Sequence, residues 1–392
     1  MCRINTSIFV VLIISSILLS ACGSAATPAA IEVMAPAATE VAVIPTAAKP
    51  TALPPGSVQI NGAGATFPLP IYTEWTYAYQ YVDPSVVINY QGIGSGGGKK
   101  AIIDNTVDFA GSDSLLKDEE YAAGKDLQMY PALAGAVVPI YNIEGITSED
   151  AALILNGNAL VGIYNATIKK WNDPALVALN PDLKDKLPDK DIVAVHRADG
   201  SGTTEIFTKA LTSFSPDWTA GGASSIEWPV DKAGNGIGGK GNPGVAAAVM
   251  NTPNSIGYVE LSYAIANKIL FAQVVNKAGK TVKASAESLV SAMNDFADKF
   301  DAKLTNTIVG APGEKSWPIS AYTYIILHTT SMTDCVKAQK LLEYLNWTLT
   351  DAGASKRAAD LGYAVLPEAV QKMVLAKLGE VSCNGKQVIT AP

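Results

Sequence analysis

VVINYQGIGSGGGKKAIIDN, residues 86–105, reads as a strand, a glycine-rich turn and a helix in immediate succession. The β-branched run 86–90 is the strand, and the helix is expected over 99–105. The pattern recurs. A strand at 191–195 runs through a glycine-containing turn into a helix at 204–211. A helix at 69–81 follows Gly62-Ala63-Gly64-Ala65-Thr66-Phe67-Pro68, and a helix at 244–250 precedes a strand at 255–259. Short apolar strands alternating with helices imply α/β architecture, with mostly parallel sheets covered by helices. No repeat of fixed period accompanies the alternation.

Three of these helices share a kind of entrance. Thr66, Phe67 and Pro68 open the first, Gly94, Ser95 and Gly96 the second, and Arg197 through Thr203 (Arg-Ala-Asp-Gly-Ser-Gly-Thr) the third. Each puts a hydroxyl and small residues where unpaired backbone N–H groups end a helix, and there the positive end of the helix dipole favours an anion. One such entrance is ordinary capping; three, one with an arginine, point to an anion site. Gly92, Gly94 and Gly97 with Asp113 also trace the outline of a dinucleotide fingerprint, but an exported chain has no evident supply of that cofactor. Lys100 after Gly98-Lys99 excludes a Walker A loop, and no G-x-S-x-G elbow surrounds Ser95 or Ser201.

Composition narrows the function further. Of 392 residues, 48% are apolar and 17% charged, with a net charge of −7. Such a chain is not disordered throughout, and an acidic protein lacks the field that gathers nucleic acid. Two histidines and four cysteines leave little for a zinc or transition-metal site, and no cofactor is expected. His196 and His328 are the candidate bases for a serine hydrolase. His328 follows the apolar run 324–327 and is expected to be a satisfied core residue.

The N-terminal segment reads as an export signal. Arg3 precedes a fourteen-residue apolar stretch, 8–21, too short to span a bilayer. Leu19-Ser20-Ala21-Cys22-Gly23 is similar to the bacterial lipobox, which implies removal of residues 1–21 and lipidation of Cys22. Residues 22–56 then form a tether, since 24–56 hold 11 Ala, 6 Pro and 4 Thr and nothing that fills a core. Cys335 and Cys383 remain in the body. An even count in an oxidising compartment points to one disulfide, with two free buried thiols as the alternative; both cysteines stand in polar, surface-like contexts.

The entrances also carry a resemblance. NGAGATFPLPIY (61–72), YQGIGSGGGKKAIIDNTVDFAGSD (90–113), IYNATIKKWND (163–173), RADGSGTTEIFT (197–208) and GNPGVAAAVMNTPNSIGYVELSYA (241–264) resemble the phosphate-binding proteins of bacterial high-affinity ABC phosphate transporters. The resemblance covers essentially all of 57–375. It implies a type II periplasmic-binding-protein fold, α/β, with two lobes joined by two crossover strands and the ligand in the cleft. Lobe I would comprise 57–140 and 313–392, and lobe II 141–312. It further implies phosphate contacts at Thr66, Phe67, Ser95, Asp113, Arg197, Ser201, Gly202 and Thr203, with Asp199 partnering the arginine. His196 stands where relatives often have a second arginine, and Gly96 where some have serine. The expected role is that of a non-enzymatic, lipid-anchored, monomeric receptor outside the cytoplasm. It would deliver phosphate to the permease and ATPase subunits of a transporter. A receptor for another oxyanion such as sulfate, or an exported phosphatase-like enzyme, are the alternatives.

Overall fold

The computed structural model describes residues 56–389; the expected leader, Cys22 and nearly all of the tether lie outside them. The strands that organise the chain are β1 (Val58–Gly64), β2 (Val86–Gly92), β3 (Phe109–Ser112), β4 (Leu127–Asn142), β5 (Val193–Arg197), β6 (Gly236–Gly239), β7 (Ser255–Glu260) and β8 (Ser320–His328). Their order is β2-β1-β3-β8-β4-β7-β5-β6. β1 lies parallel to β2 and β3 at one end, and β5 parallel to β6 and β7 at the other. Between these parallel ends run two antiparallel strands.

β4 joins the ends. Up to Ala136 it pairs with β8, and from Val137 it pairs with β7. Its sequence, LQMYPALAGAVVPIYN, is almost wholly buried, the near-continuous apolar run of a strand covered on both faces. A proline inside a strand removes a ladder donor and belongs at an irregularity. Pro131 sits at one, because the register with β8 slips between Thr323 and Tyr324, opposite Leu133 and Pro131.

The helices that bear on the site are α1 (Leu69–Tyr79), α2 (Ser95–Ile103), α3 (Gly202–Phe214), α4 (Gly241–Asn251) and α5 (Cys335–Thr350). α2 starts four residues before its expected position. Three glycines make a poor helix by propensity, but here they form the first turn because the helix lies against β1. A Cβ on Gly98 would stand 2.5 Å from the Gly64 Cα. α3 and α4 likewise begin earlier than read, at Gly202 and Gly241, and β5 runs two residues later than its predicted strand.

Cys335 and Cys383 form a disulfide with Cα atoms 5.4 Å apart, tying the first residue of α5 to the C-terminal hairpin. Cys335 is exposed as its context implied, whereas Cys383 is buried beneath the hairpin at 2% exposure. Its polar neighbours in sequence misled because a short hairpin can turn one side chain inward. Closing a 48-residue span removes freedom from the unfolded chain, worth about 2–4 kcal/mol. His328 is the satisfied core histidine expected, with Nδ1 2.6 Å from Asp126 and Nε2 3.0 Å from the Ile102 carbonyl.

Candidate functional site

Three helix starts converge from the two ends of the sheet. The turn from β1 into α1 carries Thr66 and Phe67, both buried. Their carbonyls are drawn away by two tyrosines: Tyr263 Oη donates to Thr66 O at 2.5 Å and Tyr363 Oη to Phe67 O at 2.7 Å. The N–H groups of Thr66 and Phe67 make none of the turn's backbone hydrogen bonds. They remain the free donors that a helix start offers.

Ser95 opens α2 and reaches the opposite helix. Its Oγ accepts from the Gly202 N–H at 3.1 Å and from the Asp113 N–H at 3.2 Å, and donates to Asp113 Oδ2 at 3.3 Å. The Gly96 N–H donates to the Gly200 carbonyl at 3.1 Å, so the turns before α2 and α3 touch directly. Gly202 is required by that approach, since a Cβ there would stand 2.5 Å from the Asp113 Cβ and 2.6 Å from Ser95 Oγ. Ser201 caps α3, accepting from the Thr204 N–H at 3.0 Å, and its hydroxyl hydrogen stays available.

Arg197 ends β5 and is buried. Nε donates to Asp199 Oδ1 at 2.7 Å and Nη2 to Oδ2 at 2.5 Å, a fork-to-fork pair that fixes the guanidinium plane. Nη1 reaches Thr203 Oγ1 at 3.4 Å. Of five N–H groups, two therefore remain for a further partner. Burial raises the Asp199 carboxyl, but Arg197 and the Gly241 N–H outweigh it and hold the group below its ordinary value.

Asp113 stands among these donors as a carboxyl. Thr323 Oγ1, from β8, donates to its Oδ1 at 2.7 Å. Burial pushes it up to about 7, against the pull of Thr323, Arg197 and Ser95. A second buried carboxyl, Glu260 at the end of β7, bonds the Ser262 N–H and hydroxyl and is pushed by burial up to about 8. Both folded-state values lie above the unfolded ones, so the folded protein holds protons that the unfolded chain sheds near pH 4. These two groups thus favour folding fully below about pH 4 and lose that contribution as pH rises through about 7 and 8. The thermal midpoint of the ligand-free protein is expected to fall between pH 5 and pH 8.5, and the Asp113→Asn/Glu260→Gln double variant to show a flatter profile. An equally steep fall in the double variant, by scanning calorimetry, would refute this assignment.

All eight expected contact residues and Asp199 therefore lie in this one junction. His196, expected to bear on the local field, is bonded to Asp231 at 2.8 Å and to the Arg197 carbonyl at 3.0 Å, and stacks on Trp228. Residues the sequence did not single out complete the walls: Asn242 on α4, Thr323, Tyr263, Tyr363 and Glu260. Asn242 lay within a quoted stretch, between Gly241 and Pro243, but had no hydroxyl or charge to mark it. Thr323 sits in a fully buried strand with no local signal at all. Among the described residues no group of three or more His, Cys, Asp or Glu is placed to hold a metal ion, and no helix is long and apolar enough to cross a membrane. Neither histidine is bonded to Ser95 or Ser201. The arrangement can surround a small anion with hydroxyl, backbone and guanidinium donors and offer it one carboxyl.

A sheet in two parts sharing long central strands, with helix starts meeting between the parts, defines a type II periplasmic-binding-protein fold. A PBP superfamily domain matches residues 49–352. The phosphate-binding protein PstS of Pasteurella multocida is 40% identical over 321 residues, covering 81% of this chain and 89% of that protein. PstS of Methanocaldococcus jannaschii is 36% identical over 340 residues, covering 82% and 86%. The chain belongs to the PstS family of phosphate-binding proteins. Solved structures share the fold at lower identity. A periplasmic phosphate-binding protein (PfluDING) bound with phosphate has a TM-score of 0.64 at 22% identity, over 81% of this chain and 93% of that one. A phosphate-binding protein from Stenotrophomonas maltophilia has a TM-score of 0.59 at 21% identity, with the same coverage. These relatives are named as binding proteins, not enzymes.

Proposed function

We propose that this protein binds inorganic phosphate outside the cytoplasm and delivers it to the permease and ATPase of an ABC transporter. One observation carries the reading: Asp199 is taken up by the Arg197 fork and Glu260 by Ser262, whereas the carboxyl of Asp113 is held by the Thr323 and Ser95 hydroxyls and stands among donors. A fully ionised anion gains nothing from it, whereas phosphate near neutral pH keeps a P–OH that an ionised carboxylate accepts. The ligands are the Thr66 and Phe67 N–H groups, the hydroxyls of Thr66, Ser201 and Thr203, the Thr203 N–H and the Arg197 fork; the Ser95 hydroxyl and the Gly202 N–H join them by exchanging the bonds they make to Asp113 and to Ser95 Oγ for bonds to the anion. Asp199 holds that fork in place. Together they supply the hydrogen bonds that make burial of a dianion tolerable. Calorimetric titration with phosphate, sulfate and a phosphate monoester tests the reading. Tight binding of phosphate alone is expected; a preference for sulfate, or turnover of the ester, would replace it.

Lobe I, on this reading, is 57–140 with 313–392 and lobe II is 141–312, the first crossing falling within β4, after the Ala136–Val137 point where it exchanges β8 for β7. The lipobox at 19–22 and the Ala/Pro/Thr-rich segment after it support a lipid anchor at Cys22 with a spacer that keeps the cleft clear of the membrane. Cys22→Ser is expected to move the protein from the membrane fraction to the soluble extracytoplasmic fraction. Retention on the membrane would argue for another mode of attachment.

A further inference from the structure

Asn242 has no part in the contacts just assigned, yet it is wholly buried between two of them. It is the second residue of α4. Its Nδ2 donates to Thr66 Oγ1 at 2.9 Å and to Thr203 Oγ1 at 3.2 Å, and its backbone N–H donates to the same Thr66 oxygen at 3.0 Å. The amide cannot be turned over without loss, because Oδ1 accepts the Glu260 N–H at 2.9 Å. That backbone bond from β7 fixes the NH2 toward the two hydroxyls.

The consequence follows from the hydroxyl group's inventory of one donor and two acceptor positions. Thr66 Oγ1 has both acceptor positions filled, by the Asn242 N–H and Nδ2. Thr203 Oγ1 has both filled as well, by Asn242 Nδ2 and by Arg197 Nη1 at 3.4 Å. Each hydroxyl then has only its hydrogen left to offer, and no acceptor among the described residues takes either one.

We propose that Asn242 is a positioning residue that fixes the Thr66 and Thr203 hydroxyls as donors, which selects an anion with bare oxygens at both points. This rests on the phosphate reading above. Asn242 also spans the junction, since Thr66 lies on the turn beside β1 and Thr203 on α3 beyond β5. The same amide therefore favours the closed arrangement in which both hydroxyls face one ligand. A carboxylate in its place would only accept, and would draw both hydroxyl hydrogens toward itself.

The test is phosphate titration of the full chain and of Asn242→Ala and Asn242→Asp, with Asn242→Ala repeated in Thr66→Val and Thr203→Val backgrounds. Asn242→Ala is expected to weaken binding about tenfold, as two oriented hydrogen bonds lose their alignment, and Asn242→Asp to weaken it further. In each valine background the loss caused by Asn242→Ala should shrink at least about threefold, because coupled residues are not additive. A merely structural Asn242 would lower the thermal midpoint and cost the same factor in every background, which would overturn the proposal. So would parent-like affinity in Asn242→Ala. Should Asn242→Asp fail to fold, the alanine cycle still decides. A parent chain that takes no phosphate would overturn the functional reading and this one together.

Discussion

Arg197→Ala is expected to weaken phosphate binding by about 30-fold or more, the largest loss of any single substitution in the site. Removing one partner of a buried, hydrogen-bonded charge pair costs roughly 2–5 kcal/mol, and every 1.4 kcal/mol is tenfold in affinity. Two losses combine at this position. The anion forfeits two charge-assisted N–H donors, and Asp199 forfeits both bonds to the guanidinium, at 2.7 and 2.5 Å, keeping that from the Gly241 N–H. An uncompensated carboxylate would then stand beside the bound dianion. Arg197→Lys restores the charge but not the fork, so it should recover only part of the affinity. Any single hydroxyl deletion (Thr66→Val, Ser201→Ala, Thr203→Val) removes one hydrogen bond and should cost less. Titration calorimetry at fixed ionic strength ranks them; near-parent affinity in Arg197→Ala would show that the fork does not face the ligand.

The second large effect is on selectivity. Asp113→Asn is expected to retain most phosphate affinity yet to admit sulfate, which the parent is expected to exclude. Phosphate and an ionised carboxylate share one proton between them; sulfate brings none, so an ionised Asp113 meets it as an unpaired like charge in a site of low dielectric. Because burial pushes the Asp113 carboxyl up to about 7, the exclusion carries a pH dependence with a definite sign. Below about pH 7 the carboxyl is increasingly protonated and can donate to a sulfate oxygen, so sulfate binding to the parent should strengthen as pH falls. In Asp113→Asn that dependence should vanish. Sulfate affinity measured from pH 5 to pH 8.5 on both proteins separates this from a steric account, in which neither pH nor the amide would matter.

Much of this site is legible in the sequence because its chemistry is local. A strand, a small turn and a helix start are contiguous in sequence, so Ser95 and the Arg197–Thr203 stretch announced themselves, as did the class of fold. What was not legible depends on contacts distant in the chain. The early start of α2 is set by the approach of Gly98 to Gly64, not by the poor helix propensity of three glycines. Thr323 reaches Asp113 from 210 residues away, and nothing near it in β8 distinguishes it from a core residue. Asn242 gained its place through Glu260, whose backbone sits in β7. The inward turn of Cys383 followed from a hairpin that its polar neighbours gave no reason to expect.

β4 and β8 lie side by side in the middle of the sheet, yet β4 ends at Asn142 and β8 begins at Ser320. A ribosome adding about 5–20 residues per second needs roughly ten to forty seconds to make the intervening chain. Throughout that interval β3 and the first part of β4 present unpaired edges that only β8 can cover, and exposed edges of this kind invite pairing with other chains. A chain that folds before β8 emerges meets this hazard. Keeping the chain unfolded until the segment from Ser320 onward is available avoids the hazard, so a holdase chaperone is expected to raise the yield of folded protein without changing the stability of the finished fold.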